Sequence, residues 1–243
     1  GKTSLAATFP KPIFIRAEDG MQAIPVANRP NALPLVASVD QLWEQLTALI
    51  HEEHDYQTVV IDSVTALERL FMASVLASDP KAKSINSALG GYGAGPSAIA
   101  AMHGRVRKAC GIMNEKRGMH TVFIAHADLE AMKLPDQDDY VRYSLRMPSK
   151  SLPPYVDDVD VVGFLKQQMV VMGDEGERKK ARGSGSRELV CHVTPSSVSK
   201  NRYGITQALP VTIGVNPLAQ FVPALGGTTE TPIIETQTET ETS

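Results

Sequence analysis

The chain has 243 residues, 42% hydrophobic and 21% charged, with a formal net charge of −3. That length suits one domain with a well-buried core, with or without a tail, and the slightly acidic balance excludes a global field that would draw in nucleic acid. The two cysteines, Cys110 and Cys191, are too few for a disulfide scaffold. No apolar run reaches membrane-spanning length and no basic-then-apolar leader opens the sequence, so a cytoplasmic protein without a membrane partner is expected.

The first residues, Gly1-Lys2-Thr3-Ser4, have the composition of the end of a phosphate-binding loop. The letters SLAATF suit a short helix that must stop before Pro10. The loop's earlier glycine and the strand that feeds it are expected before Gly1. Residues 12–17 (PIFIRA) and 32–37 (ALPLVA) are short apolar runs that predict strands. Ser38 then caps a helix with Gln41 as its capping-box partner, and Leu42, Trp43, Leu46, Leu49 and Ile50 fall on one helical face. Residues 58–61 (TVVI) predict a buried strand ending at Asp62, followed by a helix through Leu67, Leu70, Phe71 and Val75. Glycine-rich residues 79–96 predict a flexible loop, 97–116 a long helix, and 120–125 (HTVFIA) another buried strand. Strands that alternate with helices and are apolar on both faces predict an α/β fold with a mostly parallel sheet flanked by helices.

After residue 127 the pattern changes. Residues 128–150 are polar and irregular, with one strand at 140–146, and 161–165, 168–172 and 188–193 predict late antiparallel strands. Residues 173–188 read as an exposed hairpin tip. From Thr228 the chain has no Lys or Arg and is mostly Thr and Glu, so a core over 1–226 and a disordered tail over 227–243 are expected.

A phosphate-binding loop aims backbone N–H groups at phosphate oxygens, adds a lysine for the outer phosphates and a hydroxyl for Mg²⁺, and opens a helix toward the anion. Gly1, Lys2, Thr3 and Ser4 match its end, although the tripeptide alone is a weak signal. Asp62, within VVIDS, stands where such a protein holds Mg²⁺; an aspartate there also commonly caps the next helix. Glu18, within IFIRAEDG, lies just past a strand's carboxyl end, where it can orient or deprotonate water or stand as a solvated loop acid. His126, within VFIAHAD, ends another buried strand, where it can sense a terminal phosphate or serve a structural role. No ligand set at metal-binding spacing surrounds it.

Taken in order, these motifs resemble the core of a RecA-type ATPase. IFIRAE is similar to the RecA strand whose glutamate is catalytic, and VVIDSVTAL to its metal-binding strand. His126 stands at the polar sensor, a glutamine in RecA. Ser199-Lys200-Asn201-Arg202 is similar to a late Lys-Asn-Lys group that reaches the neighbouring subunit's ATP. The closer resemblance is to short phage proteins of the AAA-family ATPase type, minimal RecA-like cores linked to single-strand annealing and recombination. It spans about residues 1–205 and includes GKTSLA, the AEDG turn, the Tyr-Gly loop, PSKSLPPYVDDVD and KNR.

The resemblance implies a RecA-like P-loop NTPase core that uses ATP and Mg²⁺. Gly1, Lys2, Thr3, Ser4 and His126 would meet the nucleotide, and Thr3 and Asp62 the metal. Glu18 would activate water, and Lys200 and Arg202 would act across subunits in an oligomer or filament. Ser63, not a glutamate, follows Asp62, which separates the chain from clamp-loader-like ATPases.

By position, the resemblance also implies that residues 81–96 and 128–150 bind single-stranded DNA. Lys81, Lys83, Tyr92, Arg142, Tyr143, Arg146 and Lys150 offer phosphate contacts and stacking rings. Asp136, Asp138 and Asp139 oppose those charges, and ordinary solvated loops have the same composition. The basic stretch 178–187 is a second patch with the same two readings. A single-strand-binding protein is a further implied partner. The implied function is a DNA-dependent ATPase of recombination or annealing; a replicative helicase or helicase loader and a non-catalytic nucleotide-binding scaffold are its rivals.

Overall fold

The computed structural model describes residues 1–22, 24–135, 138–172 and 180–226. The predicted acidic tail, Asp136 and the first part of the predicted hairpin tip lie outside them.

A short helix, α1 (Lys2–Ala6), precedes the first strand and ends before Pro10 as expected. Strands β1 (Pro12–Arg16), β2 (Asn31–Ala32), β3 (Thr58–Asp62) and β4 (His120–Ile124) form a parallel sheet in the order β2-β1-β3-β4. Three helices cover one face: α2 (Val39–His51), α3 (Val64–Ser78) and α4 (Ala94–Arg117). Ile13, Ile15, Val59 and Ile61 pack among Leu42, Leu46, Leu67, Phe71 and Val106 of those helices. The alternate residues Phe14, Val60 and Ile124 meet Ala6 of α1 and Met21 on the other side. Each strand residue therefore finds an apolar neighbour whichever way it points, which is why β1 and β3 carry unbroken apolar runs.

Helix starts follow the sequence closely. The Ser38 hydroxyl accepts from Gln41 N at 3.2 Å, and Gln41 Oε1 accepts from Ala37 N at 2.9 Å. Ser63 caps α3 in the same way, accepting from Ala66 N at 3.2 Å. The predicted strand at 32–37 shrinks to Asn31–Ala32. Pro34 has no N–H to give, so pairing with β1 continues only through Leu33 N to Phe14 O and Val36 N to Arg16 O. The long helix starts at Ala94 rather than 97, which shortens the predicted loop.

Beyond β4 the elements are antiparallel. Strand β5 (Ala127–Met132) pairs with β6 (Tyr140–Leu145) where an irregular stretch with one strand was expected. The sequence ADLEAM has little strand preference of its own; its partner strand organises it, with Glu130 opposite Arg142. A short helix, α5 (Pro153–Val156), leads to β7 (Val161–Val162) and to β8 (Phe164–Met172), the latter irregular between Gln167 and Met169. Strand β9 (Lys180–Val190) pairs with β8, so the latter part of the predicted tip is strand. Strand β10 (Lys200–Asn201) pairs with β7, and β11 (Leu209–Val211) with β9. The chain is thus a mixed α/β structure: a parallel sheet flanked by helices, with antiparallel sheets added late. Among the described residues, no helix is long and apolar enough to cross a membrane.

One polar line runs through the helical layer. The imidazole of His103, fully buried on α4, bonds Glu68 Oε2 through Nε2 at 2.8 Å and the Tyr155 hydroxyl through Nδ1 at 2.7 Å. Phe71 and Phe123 pack edge-on around it, against His103 and Tyr155 respectively.

Helix α4 also offers a matched pair of glycines. A Cβ on Gly95 would run into the carbonyl oxygen of Ile85, whereas a Cβ on Gly104 would meet nothing within 4 Å. Gly95→Ala should therefore cost about 1–3 kcal/mol by overpacking. Gly104→Ala should be neutral or stabilise by up to about 1 kcal/mol through helix propensity. Urea denaturation of the two variants checks the contrast.

Candidate active site

Parallel register brings the sequence candidates to one sheet edge. Arg16 stands opposite Asp62 and Asp62 opposite Ile124, so Glu18, Asp62 and His126 all lie at strand carboxyl ends. Backbone N–H groups of Ala17 and Glu18 donate to Asp62 O at 2.7 and 3.4 Å, closing the turn after β1 onto the end of β3. The peptide bond between Asp62 and Ser63 is cis.

The hydroxyl of Thr3 donates to Asp62 Oδ2 at 2.9 Å. The last part of the suspected phosphate loop thus meets the suspected metal-binding carboxylate. A Cβ on Gly20 would lie 3.3 Å from both Thr3 Oγ1 and Asp62 Oδ2. Glycine in the AEDG turn therefore keeps the space over that oxygen pair open. Thr3 and Asp62 offer the hard oxygen donors that Mg²⁺ takes, one or two from protein with phosphate and water supplying the rest. Among the described residues, no group of three or more His, Cys, Asp or Glu forms a fuller metal cage. Lys2 and Ser4 are exposed on α1, beside this pair.

Glu18 is held by several donors at once. His126 Nε2 lies 2.7 Å from Glu18 Oε1, and Arg69 Nη2 lies 3.5 Å from Oε2. The Ser63 hydroxyl lies near enough to favour the charged carboxylate as well. Opposite an ionised carboxylate, His126 Nε2 must carry the proton. The backbone N–H of His126 donates in turn to Thr65 Oγ1 at 3.0 Å.

Burial pushes the Glu18 carboxyl up, but the Ser63 and His126 hydrogen bonds and the charges of His126 and Arg69 outweigh it, leaving the group below its ordinary value. Asp62 moves the other way. Burial raises it and the nearby Glu18 charge adds to the rise, against the opposing Thr3 hydrogen bond and Lys2 charge.

Lys200 and Arg202 sit elsewhere. Lys200 Nζ donates to Asp157 O at 2.8 Å, and Arg202 pairs with Asp160 Oδ1 at 2.9 Å. Their partners belong to the segment after α5, not to the Glu18–Asp62 cluster.

The suspected DNA contacts are scattered. Lys81 and Lys83 are exposed. Tyr92 is fully exposed at a positive φ of 50°. Lys150 reaches this loop and donates to Ser97 Oγ at 3.3 Å. Arg142 is bound to Glu130 at 2.9 Å and Arg146 to Asp128 at 3.5 Å. Tyr143 stacks one ring face on Phe164 at 4.7 Å. These three residues are thus partly committed within the fold.

A cleft of about 640 Å³ runs along the outer edge of β4, lined by Lys2, Leu5, Phe9, Val122, His126 and Leu165 among others. Thr3, Glu18 and Asp62 are not among its lining residues. Of the nucleotide-site candidates, Lys2 and His126 line it.

Sequence reasoning missed Gly20, Ser63, Thr65 and Arg69 as site residues. Gly20 and Ser63 lie inside the quoted motifs and were legible as neighbours. Arg69, one helical turn beyond Thr65, carries no signal that sets it apart from a solvated helix residue.

A family model described as an AAA domain matches residues 1–203. The chain belongs to that family. The matched span runs from Gly1 through Tyr203 and takes in every residue of the cluster. This AAA domain is therefore a nucleotide-binding ATPase domain of the P-loop type, a class that ordinarily works with Mg²⁺. No curated protein matches the chain.

The electrostatics of Glu18 carry a prediction. Because its folded value is depressed, Glu18 contributes stability above the ordinary carboxylate range, and that stability is lost as pH falls through the folded value. Arg69→Ala should raise the Glu18 titration point, and His126→Ala should raise it further, since His126 supplies both a hydrogen bond and a charge. NMR titration of the Glu18 carboxyl carbon checks the direction and the order.

Proposed function

We propose that the chain is a RecA-like, Mg²⁺- and ATP-dependent ATPase of DNA recombination or single-strand annealing, of the kind phages encode. One observation carries the reading: Thr3 is bonded to Asp62 while Glu18, on the neighbouring strand, is fixed beside them by His126 and Arg69. A degenerate scaffold has no need to orient that acid.

Lys2 holds the outer phosphates, and Thr3 and Asp62 hold the metal. Bound there, Mg²⁺ neutralises charge that builds on phosphoryl oxygens. Glu18, ionised near neutral pH, accepts a hydrogen bond from the attacking water and aims it. His126 orients Glu18 through its Nε2, 2.7 Å from Oε1. Lys200 and Arg202 are held away from the cluster in their own subunit, which fits cations that serve a neighbour's nucleotide. The active form is then an oligomer or filament.

Single-stranded DNA is the partner this reading favours. Lys81, Lys83, Tyr92 and Lys150 are its strongest contacts, since Arg142 and Arg146 are already paired. A single-strand-binding protein is the companion this reading adds on the same strand.

The test is ATP binding and turnover by the intact protein with and without single-stranded DNA. Lys2→Ala should abolish nucleotide binding. Glu18→Gln should keep ATP affinity and lower turnover by about 10²–10⁴-fold. Unchanged ATP affinity in Lys2→Ala would sink the assignment, and robust unwinding of forked DNA would favour a helicase.

A further inference from the structure

The Glu68–His103–Tyr155 line is not part of the Glu18–Asp62 cluster, yet it joins two parts of the chain that the reaction needs. At one end Glu68 precedes Arg69, the residue paired with Glu18, on α3. At the other, Tyr155 lies on α5, two residues before Asp157. The segment that follows α5 holds both late cations: Asp157 O accepts from Lys200 Nζ, and Asp160 takes the Arg202 guanidinium and accepts its backbone N–H at 3.1 Å.

The line is built to be rigid. Glu68, His103 and Tyr155 are 6%, 0% and 4% exposed. Opposite an ionised Glu68, a neutral His103 carries its proton on Nε2, which leaves Nδ1 to accept from the Tyr155 hydroxyl. Burial keeps that phenol protonated, well above its ordinary titration range. Two buried hydrogen bonds thus join the three side chains, and such a buried row favours one arrangement of the elements that carry it. Helix α5 itself spans four residues, has no side-chain cap and begins with two prolines; beyond the Tyr155 hydroxyl, Arg107 of α4 donates to Asp158 O in the segment that follows.

We propose that Tyr155 is a positioning residue for Lys200 and Arg202, anchoring through His103 and Glu68 the segment that presents these cations. The proposal rests on the reading that Lys200 and Arg202 act on a neighbouring subunit's nucleotide, and it adds the element that sets where they stand.

The test uses Tyr155→Phe in the intact protein, which removes one hydroxyl and keeps the ring between His103 and Phe123. Amide hydrogen exchange at Asp157 and Arg202 should speed up by about tenfold, the worth of one lost buried hydrogen bond. Exchange at Val60 and Ile61 in β3 should not change. Unchanged exchange at Asp157 and Arg202, or an equal rise everywhere, overturns the proposal, because the hydroxyl then anchors nothing local.

A second measurement reads the functional link. Tyr155→Phe should lower ATP turnover about tenfold with ATP affinity intact, as expected when only groups acting in the transition state are displaced. In a Lys200→Ala, Arg202→Ala background it should lower turnover no further. Multiplying effects would mean that Tyr155 acts through general stability, and would overturn the positioning role. Absence of turnover in the unsubstituted protein would instead refute the ATPase reading, while the exchange pattern still decides whether Tyr155 anchors the segment.

Discussion

Arg16, Asp62 and Ile124 stand level on three neighbouring parallel strands, and this register decides where the chemistry can be. Chain leaving β1 and β4 at that edge delivers Glu18 and His126, bonded to each other, to the end of β3 that carries Asp62. The result is two carboxylates in one partly buried place. The loss of water, with the Glu18 charge behind it, pushes Asp62 upward, while the donors around Glu18 draw that acid down. One acid is thus committed to being charged, and the other is left wanting a cation. That division suits a water-orienting group beside a metal-binding group.

Helix α3 serves as the common support. Its cap Ser63 lies against Glu18, Thr65 fixes the backbone of His126, and Arg69 pairs with Glu18. Its other side carries Glu68 into the buried line with His103 and Tyr155. A helix tied at both faces is a stiff mount, and stiffness matters when a carboxylate must hold water within hydrogen-bonding distance of a phosphate. The antiparallel additions late in the chain supply no member of this cluster; they carry Lys200 and Arg202 on separate tethers.

Much of this was legible before any coordinates. Glu18, Asp62 and His126 were readable because each follows an apolar run, and a parallel sheet buried on both faces makes such runs conspicuous; Thr3 was readable from the Gly1-Lys2-Thr3 tripeptide that opens α1. Ser38 and Gln41 marked the start of α2 by their own hydrogen-bonding chemistry. What escaped reading depends on contacts distant in sequence. Strand β5 is made by its pairing with β6, and the neutralisation of Arg142 by Glu130 exists only once that pairing does. Pro34 cut short a strand that its apolar neighbours advertised. Gly20 matters for what a side chain there would strike, and Arg69 for a carboxylate 51 positions earlier in the chain.

The central claim is that Asp62 and Thr3 form a metal-dependent nucleotide site on this sheet edge. Calorimetric titration of ATP into the intact protein and into Asp62→Asn, each with and without Mg²⁺, tests it most directly. The account predicts that Mg²⁺ strengthens ATP binding to the protein and that Asp62→Asn loses this Mg²⁺ dependence while remaining folded, since the substitution removes a charge that burial already disfavours. An Asp62→Asn protein that still binds ATP more tightly with Mg²⁺, to the same degree as the unsubstituted chain, would contradict it.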